Sequence, residues 1–411
     1  MTKIKPFKAL RPKRELVHKV ASLPYDVMNT KEATEMSKGN EFSFLHVSRS
    51  EIDLPEGVDV HSPSVYEKAK TSFQSFIERG VLFQEKKECY YIYSQTMTGR
   101  TQTGIVACSS IDDYFNNIIK KHEFTRPEKE QDRIEHMEAL QAHVGPIFLT
   151  FKSNPLIDSL ISKTITKDAE YSFETEDGIK HQVWIIDNEQ DINQLTSLFE
   201  HEVPYTYIAD GHHRTASAAK VGLKLREENN EPSAEYNFFL SVLFPSEQLA
   251  IMDYNRAVKD LNGLTKKTLI EKIKDRFDIT LVDFTEAKPN QLHQFAMYID
   301  KSWYRLTARE NIIKHDPIGI LDVSILQDNI LSPLLGIHDP RTDNRIDFIG
   351  GIRGLEALRN RVDSGEMAIA FALFPVSIEQ LMNIADSNNV MPPKSTWFEP
   401  KLRDGLFCHL F

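Results

Sequence analysis

The chain has 411 residues, 41% of them hydrophobic, which is ample for a real core and excludes a disordered chain. Its 49 Lys and Arg against 60 Asp and Glu leave a net charge of −11 spread along the sequence, which argues against nonspecific nucleic-acid binding. Three widely spaced cysteines, Cys89, Cys108 and Cys408, form no Cys-x-x-Cys, so they fit a reducing compartment and exclude a cysteine zinc site.

No stretch approaches the roughly 20 apolar residues of a membrane span, and Met1-Thr-Lys-Ile-Lys-Pro-Phe7 lacks the apolar region of a signal peptide. A soluble cytoplasmic protein without nucleic-acid or membrane partners is therefore expected, and a homodimer is compatible with the sequence. The length fits two or three domains, or one large domain with a subdomain.

In chain order, Ile4 to Leu10 reads as a first strand ended by Arg11-Pro12, and Leu23-Pro-Tyr-Asp-Val27 as an extended turn. Thr30 to Lys38 reads as a short helix and Phe42 to Val47 as a strand. A helix opens at Ser62-Pro63 with an apolar stripe of Tyr66, Ala69, Phe73, Phe76 and Ile77, and Gly80 ends it. Tyr90–Gln95 and Thr103–Cys108 predict a hairpin across Thr98-Gly99, followed by helix over Ile111–Ile119. Lys120 to Arg133 is dense in charge and leads into a helix from Pro127 to His143. A solvated helix start is the plain reading of that segment; a ligand-facing loop carrying His122, Glu123 and Arg126 is the functional one.

Pro146–Phe151 reads as strand, Tyr171–Thr175 and His181–Ile186 as a hairpin, and Ile192–Phe199 as helix. Then comes Tyr205-Thr-Tyr-Ile-Ala-Asp-Gly-His-His-Arg-Thr-Ala-Ser-Ala-Ala219. It predicts a buried strand, a tight turn at Asp210-Gly211, and a helix over Thr215–Lys220 that stops near Gly222. Phe238–Phe244 is a buried strand expected to pair with Leu249–Tyr254. From Leu264 the character shifts, predicting domains at 1–263 and 264–411, the second completing the site. Strands and helices interleave irregularly, so the fold class is α+β with a mixed sheet.

The turn suits an anion. The first N–H groups of a helix lack partners, the helix dipole places positive charge there, and Arg214 adds a fork of donors matched to phosphate oxygens. The alternative is a turn in which Asp210 merely caps the helix. Near the C-terminus, Pro392-Pro393 presents Lys394, Ser395 and Thr396 as a second candidate phosphate contact. No Gly-x-x-x-x-Gly-Lys-Ser/Thr and no Gly-x-Ser-x-Gly is present, and Gly350-Gly-Ile-Arg-Gly354 reads as packing ahead of binding.

Asp210-Gly-His-His-Arg214 with its following small residues resembles the signature of domain-of-unknown-function family 1015. The resemblance extends to Ile4-Lys-Pro-Phe-Lys-Ala-Leu-Arg-Pro12, Pro24-Tyr-Asp-Val27, His122-Glu-Phe-Thr-Arg-Pro127 and Pro392-Pro-Lys-Ser-Thr396. The same turn is similar to one in free-serine kinases of the ParB/sulfiredoxin-like fold, which hold a nucleotide phosphate there. That resemblance implies a ParB/sulfiredoxin-like nucleotide-binding core elaborated by further α/β segments. It implies a kinase that transfers a phosphoryl group from ATP or ADP, with Mg²⁺, to the hydroxyl of free L-serine or a similar compound.

On that reading Asp210, Gly211, His212, His213, Arg214 and Thr215 hold the donor phosphates, with Lys394, Ser395 and Thr396 in support. Asp210 also orients the turn or holds the metal through water. Asp26 or Glu123 is the base, His213 a further catalytic group, and His46, His122 and Arg126 meet the substrate. The rival reading is a nucleotide-binding regulator that uses the same cradle without transferring phosphate.

Overall fold

The structure, a computed structural model, describes residues 1–411. It is α+β, and it divides into two compact units: Met1–Leu249 with Pro400–Phe411, and Ala250–Glu399. The sequence-based boundary at 263/264 falls inside the second unit, because Tyr254–Val258 is a strand of that unit's sheet. Residues 400–411 return to the first unit, where His409-Leu410 pairs with Ala142-His143.

The first unit is built on a nine-stranded mixed sheet. Its strands are β1 (Ile4–Lys5), β2 (Tyr90–Met97), β3 (Arg100–Ser110), β4 (Ile119–Lys120), β5 (Ile147–Phe151), β6 (Tyr171–Glu174), β7 (Lys180–Ile186), β8 (Thr206–Asp210) and β9 (Phe238–Pro245). They run in the order β4-β8-β5-β9-β3-β2-β7-β6, with β1 beside β3. β9 lies between β5 and β3, so both of its edges are paired, and its residues are buried on both faces, as its near-continuous apolar run requires. The β2–β3 hairpin turns through Thr98 and Gly99, both at positive φ (48° and 81°), as a tight hairpin requires.

Two helices frame the region of interest, α1 (Pro127–Leu140) and α2 (His212–Glu228), which pack on each other. α2 runs straight through Gly222 rather than stopping there. A Cβ at Gly222 would fall 2.2 Å from the Tyr236 carbonyl oxygen, so this glycine serves a close approach of backbone, not a helix end. Phe42–Val47 is not a strand: Leu45–Ser48 is a short helix, and Phe44 packs edge-on to Phe73 and Phe76. The expected helix over 111–119 ends at Phe115, and Ile119-Lys120 pairs with β8 instead.

The second unit holds a six-stranded antiparallel sheet of β10 (Tyr254–Val258), β11 (Phe277–Val282), β12 (Gln294–Ile299), β13 (Ser302–Ala308), β14 (Ile346–Gly350) and β15 (Ile369–Leu373), ordered β11-β13-β12-β15-β10-β14. The expected pairing of Leu249–Tyr254 with β9 does not form. Ile251-Met252 pairs with Trp397-Phe398 and β10 with β14 and β15.

Candidate functional site

β8 ends at Asp210, one residue past an irregularity in its register with β5 between Ile208 and Asp210. Such a bulge re-aims the side chain that follows it. Gly211 then takes φ 94° and α2 begins at His212. No side chain caps this 17-residue helix. The Asp210 carboxylate accepts from the Gly211 N–H at 3.0 Å, and Thr215 closes the turn by donating N–H and hydroxyl to the Gly211 carbonyl, both at 2.9 Å. The N–H groups of the first helical turn are thus left to a ligand or solvent. A Cβ at Gly211 would lie 3.1 Å from the Arg214 Nε, so the guanidinium folds back over the turn.

Arg214 is only 4% exposed. Its Nη1 donates to the Pro146 carbonyl at 2.6 Å, its Nη2 sits 3.8 Å from Asp210, and its Nε has no partner. Burial alone would favour the neutral form; Asp26, Asp210 and Asp404 override it and keep the guanidinium charged. Burial would likewise raise the Asp210 carboxyl, but Lys401, whose Nζ lies 3.2 Å away, and Arg214 hold it well below the usual carboxylate range.

The histidines are neutral by burial. His212 is pushed down to about 3, and His122, with its ring 4.4 Å from that of His212, falls well below its ordinary value. Both ring nitrogens of His122 are buried without a partner. His213 is half-buried, its Nε2 accepts the Arg126 N–H at 3.1 Å, and burial lowers its pKa.

The structure gathers most of the residues expected from sequence. Glu123 lies 3.9 Å from His212, and Asp26, exposed on its turn, acts electrostatically on Arg214 and His213. Arg126 reaches His213 through its backbone. His46 has other partners, Asp53 at 3.0 Å and the Asn40 carbonyl at 3.1 Å, and none of them belongs to the turn. Lys394, Ser395 and Thr396 belong to the second unit, where the Lys394 carbonyl accepts from Arg256 and the Ser395 hydroxyl donates to Pro392.

Three groups escaped the sequence reading. Lys401 and Asp404 come from the returning segment, and Arg133 lies in α1 with its guanidinium 3.9 Å over the Tyr25 ring. Only Arg133 had a signal, its place at the end of the charged run 120–133. The carboxylate of Asp210 is already engaged by Lys401 and the Gly211 N–H, and no three His, Cys, Asp or Glu side chains are grouped to hold a metal ion. The donor set therefore fits a protein-held magnesium poorly.

Residues 4–324 match the family described as "Protein of unknown function (DUF1015)". The chain belongs to that family. No curated protein matches it by sequence. Among solved structures it is similar to a free serine kinase in complex with AMP, at 14% identity and TM-score 0.35, covering 73% of this chain and 91% of that one. It is also similar to SbnI from Staphylococcus aureus (12% identity, TM-score 0.39, 73% and 85% covered) and to a conserved hypothetical protein from Pyrococcus furiosus (15%, 0.35, 73% and 93%).

Proposed function

We propose that the turn from Asp210 to Thr215 binds the phosphates of a nucleotide, and that the protein is a small-molecule kinase of ParB/sulfiredoxin-like fold, with free L-serine or a similar hydroxyl compound as acceptor and ATP or ADP as donor. The observation that carries this reading is Arg214: a buried, charged guanidinium with an unpartnered Nε at the uncapped start of a long helix. Helix N–H groups and a guanidinium fork together make a phosphate cradle. Phosphoryl transfer then needs little beyond positioning, charge neutralisation and a base for the acceptor hydroxyl. Asp26 and Glu123 remain the two candidates for that base, since both act on the residues of the turn. Magnesium would enter with the nucleotide rather than in a protein cage.

The test is direct. Purified protein is incubated with ATP or ADP, Mg²⁺ and a panel of hydroxy-amino acids and polyols. Phosphoserine should form, and Arg214→Ala should abolish it. Tight nucleotide binding with no product from any acceptor would instead establish the non-transferring regulator, a reading favoured by the engagement of Asp210 with Lys401.

A further inference from the structure

We infer that Asp404 is a proton-exchanging positioning residue of this site, taking up a proton when an anionic phosphate settles on Arg214 and releasing it when the site empties. The inference rests on the phosphate-binding reading of the turn and adds that ligand and proton bind together.

The geometry places Asp404 for this role. Its backbone pairs with Ser22, N–H to carbonyl in both directions at 2.9 and 3.1 Å, which fixes it beside the chain that leads to Tyr25 and Asp26. Asp404 is 2% exposed, and its Oδ1 is buried without a partner. A Cβ at Gly145 would fall 2.9 Å from that Oδ1. So the carboxyl fills a slot that only glycine leaves open, one residue from the Pro146 carbonyl that anchors Arg214.

The charges around it explain the coupling. Arg214 and Arg133 favour its ionised form, Asp26 opposes it, and the Cys408 thiol, which Asp404 influences, is held neutral by burial. Arg133 is committed to Asp132 at 2.6 Å and Lys401 to Asp210, leaving Arg214 to face Asp26, Asp210 and Asp404. A dianion added there meets a guanidinium already surrounded by carboxylates. Neutralising the buried one is the least costly relief, because burial has already disfavoured its charge. Burial pushes Asp404 up to about 7 in the free protein, so a modest further rise moves it across neutral pH. Reciprocity then requires affinity to weaken as pH rises above that value.

Sulfate serves as a probe because its charge is constant across this range, with ADP beside it. Binding to the full chain is measured by isothermal titration calorimetry at pH 7 in two buffers of different ionisation enthalpy, and again from pH 6.5 to 8.5. The wild type should take up part of a proton per sulfate and lose affinity with rising pH. Asp404→Asn keeps the size and shape of the side chain and mimics the protonated carboxyl. It should take up none, and at pH 8.5 should bind sulfate about tenfold more tightly than wild type, a gain that a merely structural role would not produce.

Equal proton uptake in both proteins, or the same pH slope, would overturn the inference while leaving the proposed function standing. Failure of wild type to bind both sulfate and ADP would instead sink the phosphate-binding reading, and the linkage with it. If the variant fails to fold, carboxyl ¹³C resonances of the wild type decide. One aspartate besides Asp113, which burial lifts to about 6, must titrate near neutrality and shift upward with sulfate; the absence of any such second aspartate would refute it.

Discussion

Asp210 owes its charge to a lysine 191 positions away in the sequence. Lys401 is nearly buried, with 10% of its side chain exposed, so removing it leaves the Asp210 carboxylate with only the Gly211 N–H and the more distant Arg214, rather than breaking a surface pair. Lys401→Ala should therefore cost about 3 kcal/mol near pH 7, read by urea denaturation. The sign of its pH dependence follows from the depressed carboxyl: the stability Asp210 contributes is present above the ordinary carboxylate range and is lost as pH falls through its lowered value. The gap between wild type and variant should thus narrow below about pH 4. A gap independent of pH would show that the pair matters only as packing. At this scale the turn itself was legible, because Asp210-Gly-His-His-Arg214 puts every donor within five consecutive residues. Lys401 and Asp404 were not: nothing in Lys401-Leu-Arg-Asp404 marks it, and its meaning comes only from what it is folded against.

The helix of the turn shows the same limit one level up. An alanine-rich stretch before Gly222 reads as a helix that ends there, and propensity alone favours that stop. The carbonyl of Tyr236, which claims the space a side chain would need, is invisible to local sequence. Gly222→Ala would ordinarily stabilise a helix by about 1 kcal/mol; here it should destabilise by about 2 kcal/mol, as overpacking does. A lowered melting temperature checks it, and a raised one would mean the 235–237 segment yields freely. The strand expected at Phe42–Val47 failed for a related reason. Phe44 is held among Phe73 and Phe76 and against Gly405, where a Cβ would fall 2.6 Å from its ring. Tertiary contacts, not the short apolar run, decided that segment. Where periodicity was strong or the turn residues were decisive, as in β2–β3, element and register both followed from sequence.

At the scale of the molecule, the chain leaves the first unit at Leu249 and re-enters it at Pro400. Composition marks neither crossing, which is why the boundary read from sequence fell fourteen residues late (263 less 249). The returning segment is tied into the first unit by its backbone as well as by its charges: Cys408 pairs with Leu10 main chain to main chain, His409 pairs with His143, and Gln95 holds the Lys401 carbonyl at 2.8 Å. A chain ending at Glu399 should accordingly lose cooperative unfolding of the first unit as well as anion binding, by calorimetry and sulfate titration. Retention of both would show that the turn stands without Lys401 and Asp404. The same return path has a consequence for biosynthesis. A ribosome makes the turn long before it makes its partners, so a nascent chain that has reached Leu249 carries Asp210 without its lysine and Arg214 without Asp404. The full set of contacts around the turn forms only after all of residues 250–399 have been translated, so until then the strand–turn–helix segment carries its charged groups without Lys401 and Asp404.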